Sequence, residues 1–136
     1  MATRDLATLI RSMQPLLHPE TFVFARLPDD SIPATIRPVM TFRETEGLTA
    51  ILTREEASAA GLRGAFPCRM ITLEVQSALD AVGFLAAVTA RLAAAGIAVN
   101  PVSAFHHDHL FVPEERAEEA LRILREMAAE ELRIDT

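Results

Sequence analysis

From Met70 to Gln76 the chain alternates strictly, with Met70, Thr72, Glu74 and Gln76 on one side and Ile71, Leu73 and Val75 on the other. That period is the period of a β-strand, and it leaves one apolar face that needs a cover. The cover follows at once: Val82, Leu85, Val88, Leu92 and Ala95 recur at helical spacing and stop before Gly96. A strand feeding directly into an amphipathic helix commits the chain to a layered α+β fold. Between the two, Ser77-Ala78-Leu79-Asp80 has the form of a capping box. It predicts a helix that starts directly after Ser77, with Gly83 a turn inside, where glycine costs about 1 kcal/mol relative to alanine.

The same logic extends to both ends. Leu6, Leu9, Ile10 and Met13 form a helical stripe that ends before Pro15. The run from Thr21 to Leu27 is β-branched and aromatic and reads as an internal strand; 38–43 and 48–53 read as a hairpin. Thr53 with Glu55 and Glu56 is a helix start, and Gly61 is placed to end that helix. Beyond the central helix, 97–105 is extended, 109–112 is a partner strand, and Pro113 with Glu114 and Glu115 opens a last helix. That helix buries Ala117, Ala120, Leu121, Leu124 and Ala128, and its Glu and Arg run, including the Glu118 and Arg122 pair, is a solvated face.

Each half thus reads as a weak repeat of strands and helices, predicted as a ferredoxin-like βαββαβ unit with an antiparallel sheet and its helices on one face. The halves are 1–66 and 67–136. The second lacks an evident last strand, for which 132–135 is a candidate stub, and an unpaired edge there predicts a homodimer through sheet edges or helices.

Composition narrows the function. In 136 residues, 13 basic against 19 acidic side chains give a net charge of -6, which opposes binding to nucleic acid or to anionic membrane. The most apolar region, 84–99, is broken by Thr89, Arg91 and Gly96 and falls short of the roughly 20 apolar residues that span a bilayer. A lone cysteine and an N-terminus without a signal-peptide core predict a cytoplasmic location.

Candidate chemistry is sparse, and the expectation is a non-enzyme without a cofactor. Ser77 has no local triad signature, and Cys68, beside Pro67 with no second cysteine, reads as a structural thiol. His106-His107-Asp108-His109 concentrates metal-ligand types, with His107 and His109 on one side of an extended chain. A metal site or metal-dependent enzyme there would need Cys68 or His18 as further ligands. The alternative is a turn in which Asp108 and a histidine satisfy backbone groups. Glu44 and Glu46 are either a carboxylate pair or a charged hairpin turn, with Glu46 a counter-charge for a ligand ammonium. Around Gly83 two readings stand: a helix start whose free amides hold a carboxylate or phosphate, or a glycine that lets helix pack closely on sheet.

The segments MITLEVQS, LDAVGFLAAVTARLAAAGI and VNPVSAFHHDHLFVP, with FRETEGLTAIL before them, resemble the small bacterial ACT-domain proteins that carry two ACT-like units in one short chain. E-x-E-G-L-T and H-D-H-L-F-V-P carry the likeness, which runs from Leu6 to Met127. The resemblance implies a regulatory module that binds a small amino acid at the loop between first strand and first helix. In this chain that loop is Ser77, Ala78, Leu79, Asp80, Ala81, Val82 and Gly83, with Asn100 nearby at the start of the next strand. It also implies that any regulated protein partner is another chain. An interaction module with no ligand, using an exposed sheet, is a third expectation.

Overall fold

The structure is a computed structural model that describes residues 4–134. In chain order it has α1 (Leu6–Ser12), β1 (Gln14–Leu17), β2 (Phe22–Leu27), β3 (Met40–Glu44), β4 (Gly47–Thr53), α2 (Arg54–Ala59) and β5 (Gly64–Glu74), then α3 (Phe84–Ala94), β6 (Asn100–Ser103), β7 (Asp108–Pro113) and α4 (Ala117–Ile134). Residues 19–69 form one compact unit, and the segments before and after them form the other. The units are therefore cut differently from the halves 1–66 and 67–136, because α1 and β1 pack with the C-terminal segment.

Within 19–69 the strand order is β3-β4-β2-β5. β2 and β4 are antiparallel, running from Phe22 opposite Thr53 to Leu27 opposite Leu48. Their alternate residues Val23, Ala25, Leu27, Leu48, Ala50 and Leu52 bury one face together with Ala57 of α2. The α2 start is as expected: the Thr53 hydroxyl accepts from the Glu56 amide at 3.2 Å, and Gly61 stops the chain at φ 70°. No α-helix joins β2 to β3. The connection holds only a 3-10 turn at Pro28–Asp30, with Asp29 and Asp30 both in the left-handed region, and Asp30 Oδ1 accepting from the Leu48 amide at 3.0 Å. Ile36 of this loop is buried in the same apolar cluster.

In the other unit the order is β1-β5-β7-β6. β6 and β7 form an antiparallel hairpin, with Asn100 opposite Phe111 and Ser103 opposite Asp108. The missing last strand is β1, from the far end of the sequence, antiparallel to β5 with Gln14 opposite Glu74 and Leu17 opposite Ile71. The edge expected to stand unpaired is thus covered. Leu132 to Ile134 are not a strand stub but the end of α4, and Asp135 lies outside the described residues. Pro15 hid β1 from the sequence, since a proline is admitted in a strand only where its missing N–H is not needed, as at an edge.

Helices α1, α3 and α4 contact one another on one face of this sheet. Leu9, Ile71, Leu73, Val88, Leu92, Leu110, Val112 and Leu124, all fully buried, form the core between them and the strands. The α4 stripe buries Ala117, Ala120, Leu121 and Leu124 as expected. Its start is later than Pro113 suggested, because Glu114–Arg116 wind as a 3-10 turn first. Arg116 then donates to the Ala95 carbonyl at 3.1 Å, satisfying the last turn of α3.

Candidate functional site at the start of α3

The capping-box expectation fails at this corner. The chain leaves β5 through two tight bends, with the Val75 amide on the Leu73 carbonyl and the Ser77 amide on the Val75 carbonyl, and then turns at Ala78–Ala81. Helix α3 begins only at Phe84. Its N-cap is Gly83, at φ 96° and with no side-chain cap. Ser77 therefore caps nothing in α3, and Gly83 is not a costly interior glycine but a residue whose left-handed backbone few other side chains tolerate. Close packing is not the reason for it: a Cβ here would meet only Leu6 Cδ2 at 3.7 Å. Val82, expected in the buried stripe, is 86% exposed, because it precedes the helix.

The late start leaves the amides of Phe84, Leu85 and Ala86 ahead of the first bond of the helix, which runs from the Ala87 amide to the Gly83 carbonyl at 2.9 Å. A cavity of about 200 Å³ opens at this point. Ser77, Ala78, Leu79 and Ala81 wall one side, Phe84 and Leu85 the helix side, and Ser103, Ala104 and Asp108 the end of the β6–β7 hairpin. Asp108 is only 8% exposed and accepts from the Ser103 hydroxyl at 2.6 Å. Ser77, Ala78 and Leu79 also line a second, more open cavity of about 370 Å³, together with Arg4, Asp80, Phe105 and His106 among others. Asp80 pairs there with Arg4 at 2.8 Å, which holds its carboxyl below the ordinary value.

The structure brings together Ser77, Ala78, Leu79 and Ala81 from the expected set, and adds Ser103 and Asp108. Asn100 is not among the lining residues: it opens β6, whereas Ser103 closes it, a separation of about 10 Å along a strand. Glu46 sits exposed in the turn of the β3–β4 hairpin, in the other compact unit, where Glu44 accepts from the Thr49 hydroxyl. Asp108 was legible only as part of a histidine-rich turn. A period-two reading of 108–112 was the available signal, since Asp108 shares its face with Leu110 and Val112.

The histidines do not converge on a point. Ring centroids are 6.4 Å apart for His106 and His107 and 6.5 Å for His107 and His109. His109 Nδ1 lies 2.9 Å from the Thr72 hydroxyl, which His18 Nε2 meets at 2.8 Å from the other side. Burial, followed by the nearby His107 and His18, lowers the His109 pKa against the opposing pull of Asp108. Among the described residues no three metal-ligand side chains are arranged to hold an ion. The hairpin turn itself is closed by the Ala104 amide on the His107 carbonyl at 3.0 Å, not by an Asp108 side chain on the backbone. Cys68 is buried and donates to the Phe22 carbonyl at 3.4 Å, as a structural thiol does.

Two ACT-domain family models match in tandem, over residues 2–69 and 65–126. A crystal structure from Vibrio cholerae, of a protein of unknown function described as a possible transport protein, is 40% identical. The match covers 90% of this chain and 95% of that one, with a TM-score of 0.80. An Agrobacterium tumefaciens structure is 22% identical over 85% of this chain and 89% of its own, with a TM-score of 0.73. The ligand-free regulatory subunit of aspartate kinase from Thermus thermophilus shares the fold at 12% identity and a TM-score of 0.65, over 85% of this chain and 96% of that one. No protein of curated function shows significant sequence similarity. The chain belongs to the ACT-domain family, and its fold is the mixed α+β, ferredoxin-like one of ACT units. No helix among the described residues is long and apolar enough to cross a membrane.

Proposed function

We propose that the protein is a non-enzymatic regulatory or sensor module that binds an amino acid or similar small metabolite at the β5–α3 corner. The observation that carries this reading is the cavity of about 200 Å³ beside the uncapped α3 start. Unbonded amides and the positive end of the helix dipole stabilise an anionic group there. The volume lies below the range of pockets for drug-sized molecules and suits a small metabolite. The site comprises Ser77 to Gly83 with Ser103 and Asp108, and leaves out Asn100 and Glu46. The regulatory subunit of aspartate kinase, similar in fold, supports the regulatory part, and the tandem family matches support reading 1–66 and 67–136 as a duplicated pair.

A regulated protein on another chain, a homodimer and a cytoplasmic location belong to the same reading. Dimerisation rests on the terminal strands of the two units: β3 carries Phe42 at 64% exposure, and β6 has a strand partner on one side only. Location rests on the single buried thiol of Cys68. Thermal-shift and calorimetric titration of the full chain with the twenty amino acids tests the function. At least one raises the melting temperature, with one molecule bound per chain, since of β2 and β5, the first strands of the two repeats, only β5 leads into an α-helix before the next strand. No response at millimolar concentration overturns it.

A further inference from the structure

We infer that His18, His107 and His109 form, around the Thr72 hydroxyl, an acid-operated latch that fastens strand β1 to the sheet at neutral pH and lets it open when the imidazoles take up protons. Thr72 is only 5% exposed, and its hydroxyl lies 2.8 Å from His18 Nε2 and 2.9 Å from His109 Nδ1. One oxygen on β5 therefore ties the residue that follows β1 to β7. A hydroxyl carries a single proton, so in this row it has an acceptor only while one of the two ring nitrogens is bare. His107 stands beside His109, with ring centroids 6.5 Å apart. Its Nδ1 is buried and has no hydrogen-bond partner among the described residues.

Protonation undoes this arrangement. With both rings charged, His18 and His109 each aim an N–H at the same oxygen, the Thr72 proton loses its acceptor, and two cations stand no more than about 6 Å apart. The other groups around His109 do not offset this. His107 adds a third imidazole from the same hairpin, while Asp108, which pulls the opposite way, accepts from Ser103 and lines the α3 cavity. Opposite His109 on β6 is the uncharged Val102, and on β5 Glu74 is exposed, two residues from Thr72. Burial first, then His107 and His18, accordingly lower the His109 pKa. The closed form is therefore favoured above the ordinary imidazole value of 6.5 and loses that advantage as pH falls through the folded one. The weakest element gives way. β1 has four residues, pairs with β5 alone among the described strands, and contains Pro15, which has no N–H. The His18 amide donates to the Met70 carbonyl at 2.9 Å, so by alternation the Leu16 amide is also turned toward β5. Helix α1 stays anchored through Leu9 in the core, so that residues 14–18 open as a loop and bare the β5 edge at 71–74.

The test is amide hydrogen exchange of the full chain, followed residue by residue by NMR at about pH 7.5 and about pH 5, each rate taken relative to an unstructured peptide at the same pH. Protection of the Leu16 and His18 amides is expected to fall at least about tenfold more than that of Val88 and Leu92 in α3, with the midpoint of the imidazole titration. In His18→Gln and in His109→Gln, whose side-chain amides still bond to a hydroxyl but do not titrate, the extra fall shrinks to at most about threefold. Protection at β1 that is unchanged, that falls only in step with α3, or that falls as far in the folded variants as in the wild type overturns the inference. Should the variants fail to fold, the wild-type midpoint decides: a loss of protection that does not coincide with the imidazole titration overturns it.

Discussion

The two compact units share one strand order and part company between their first and second strands. After β5 the chain makes an α-helix of eleven residues, α3, whose start opens onto a cavity. After β2 it makes only a 3-10 turn and a loop, and Ile36 from that loop fills the apolar cluster that a helix would otherwise cover. The turn also has the opposite electrostatic character. Asp29 and Asp30 stand where the other unit offers free amides, and Asp30 spends its carboxylate on the Leu48 amide. A βαββαβ plan therefore keeps its sheet without that helix, provided one apolar side chain still reaches the core, but the uncapped helix start beside a cavity is found only after β5.

The sharpest test of that comparison is a pair of core truncations. Leu92→Ala in α3 and Ile36→Ala in the loop each remove a buried aliphatic side chain, and each is expected to cost about 2 to 5 kcal/mol in chemical denaturation. A cost well under 1 kcal/mol at Ile36 would mean that the loop does not stand in for a helix. A smaller effect is expected at Gly83. Because its backbone is left-handed, Gly83→Ala should destabilise by about 1 to 2 kcal/mol. A glycine inside the helix would give the reverse sign, a gain of about 1 kcal/mol, so the sign of the change in denaturation midpoint separates the two starts of α3.

The smallest effect is a difference in acid response. His109 has a lowered pKa, so the unfolded chain takes up a proton first as pH falls from the ordinary imidazole value of 6.5. The stabilisation from its neutral form is complete above that value and is lost as pH falls through the folded one. In the other unit the lowered group is Glu56, whose carboxylate accepts foremost from the Arg37 amide at 2.8 Å and also from Thr53. Its contribution is complete above 4.5 and is lost below it. Denaturation midpoints followed downward in pH should therefore flatten in the higher window in His109→Gln and in the lower one in Glu56→Gln. An unchanged profile in either variant removes that residue from the comparison.

Legibility in the sequence followed the range of the interactions. The alternation of 70–76, the α4 stripe, the Thr53 cap and the Gly61 stop are decided by neighbours no more than four residues away, and each element formed, although β5 starts at Gly64 and ends at Glu74, ahead of its pattern, and α4 opens only after a 3-10 turn. The start of α3 was misread although it is local, because Ser77 and Asp80 fit a capping box while Gly83, in a left-handed conformation, set the boundary. The candidate site was half legible: its loop came from the strand-helix junction and the family resemblance, its opposite wall did not.

What the sequence determined by itself is the set of strands and helices from Phe22 onward, since periodicity and capping are written in adjacent residues. Only the tertiary structure decided that Gln14–Leu17 completes the sheet beside β5 and that Asp108 lines one cavity with the start of α3. Both depend on residues far apart in the chain, Leu17 opposite Ile71 in the sheet, and Asp108 and Ser77 around one cavity. The free energy of such pairings comes from burial and hydrogen bonding that exist only once the chain has closed on itself.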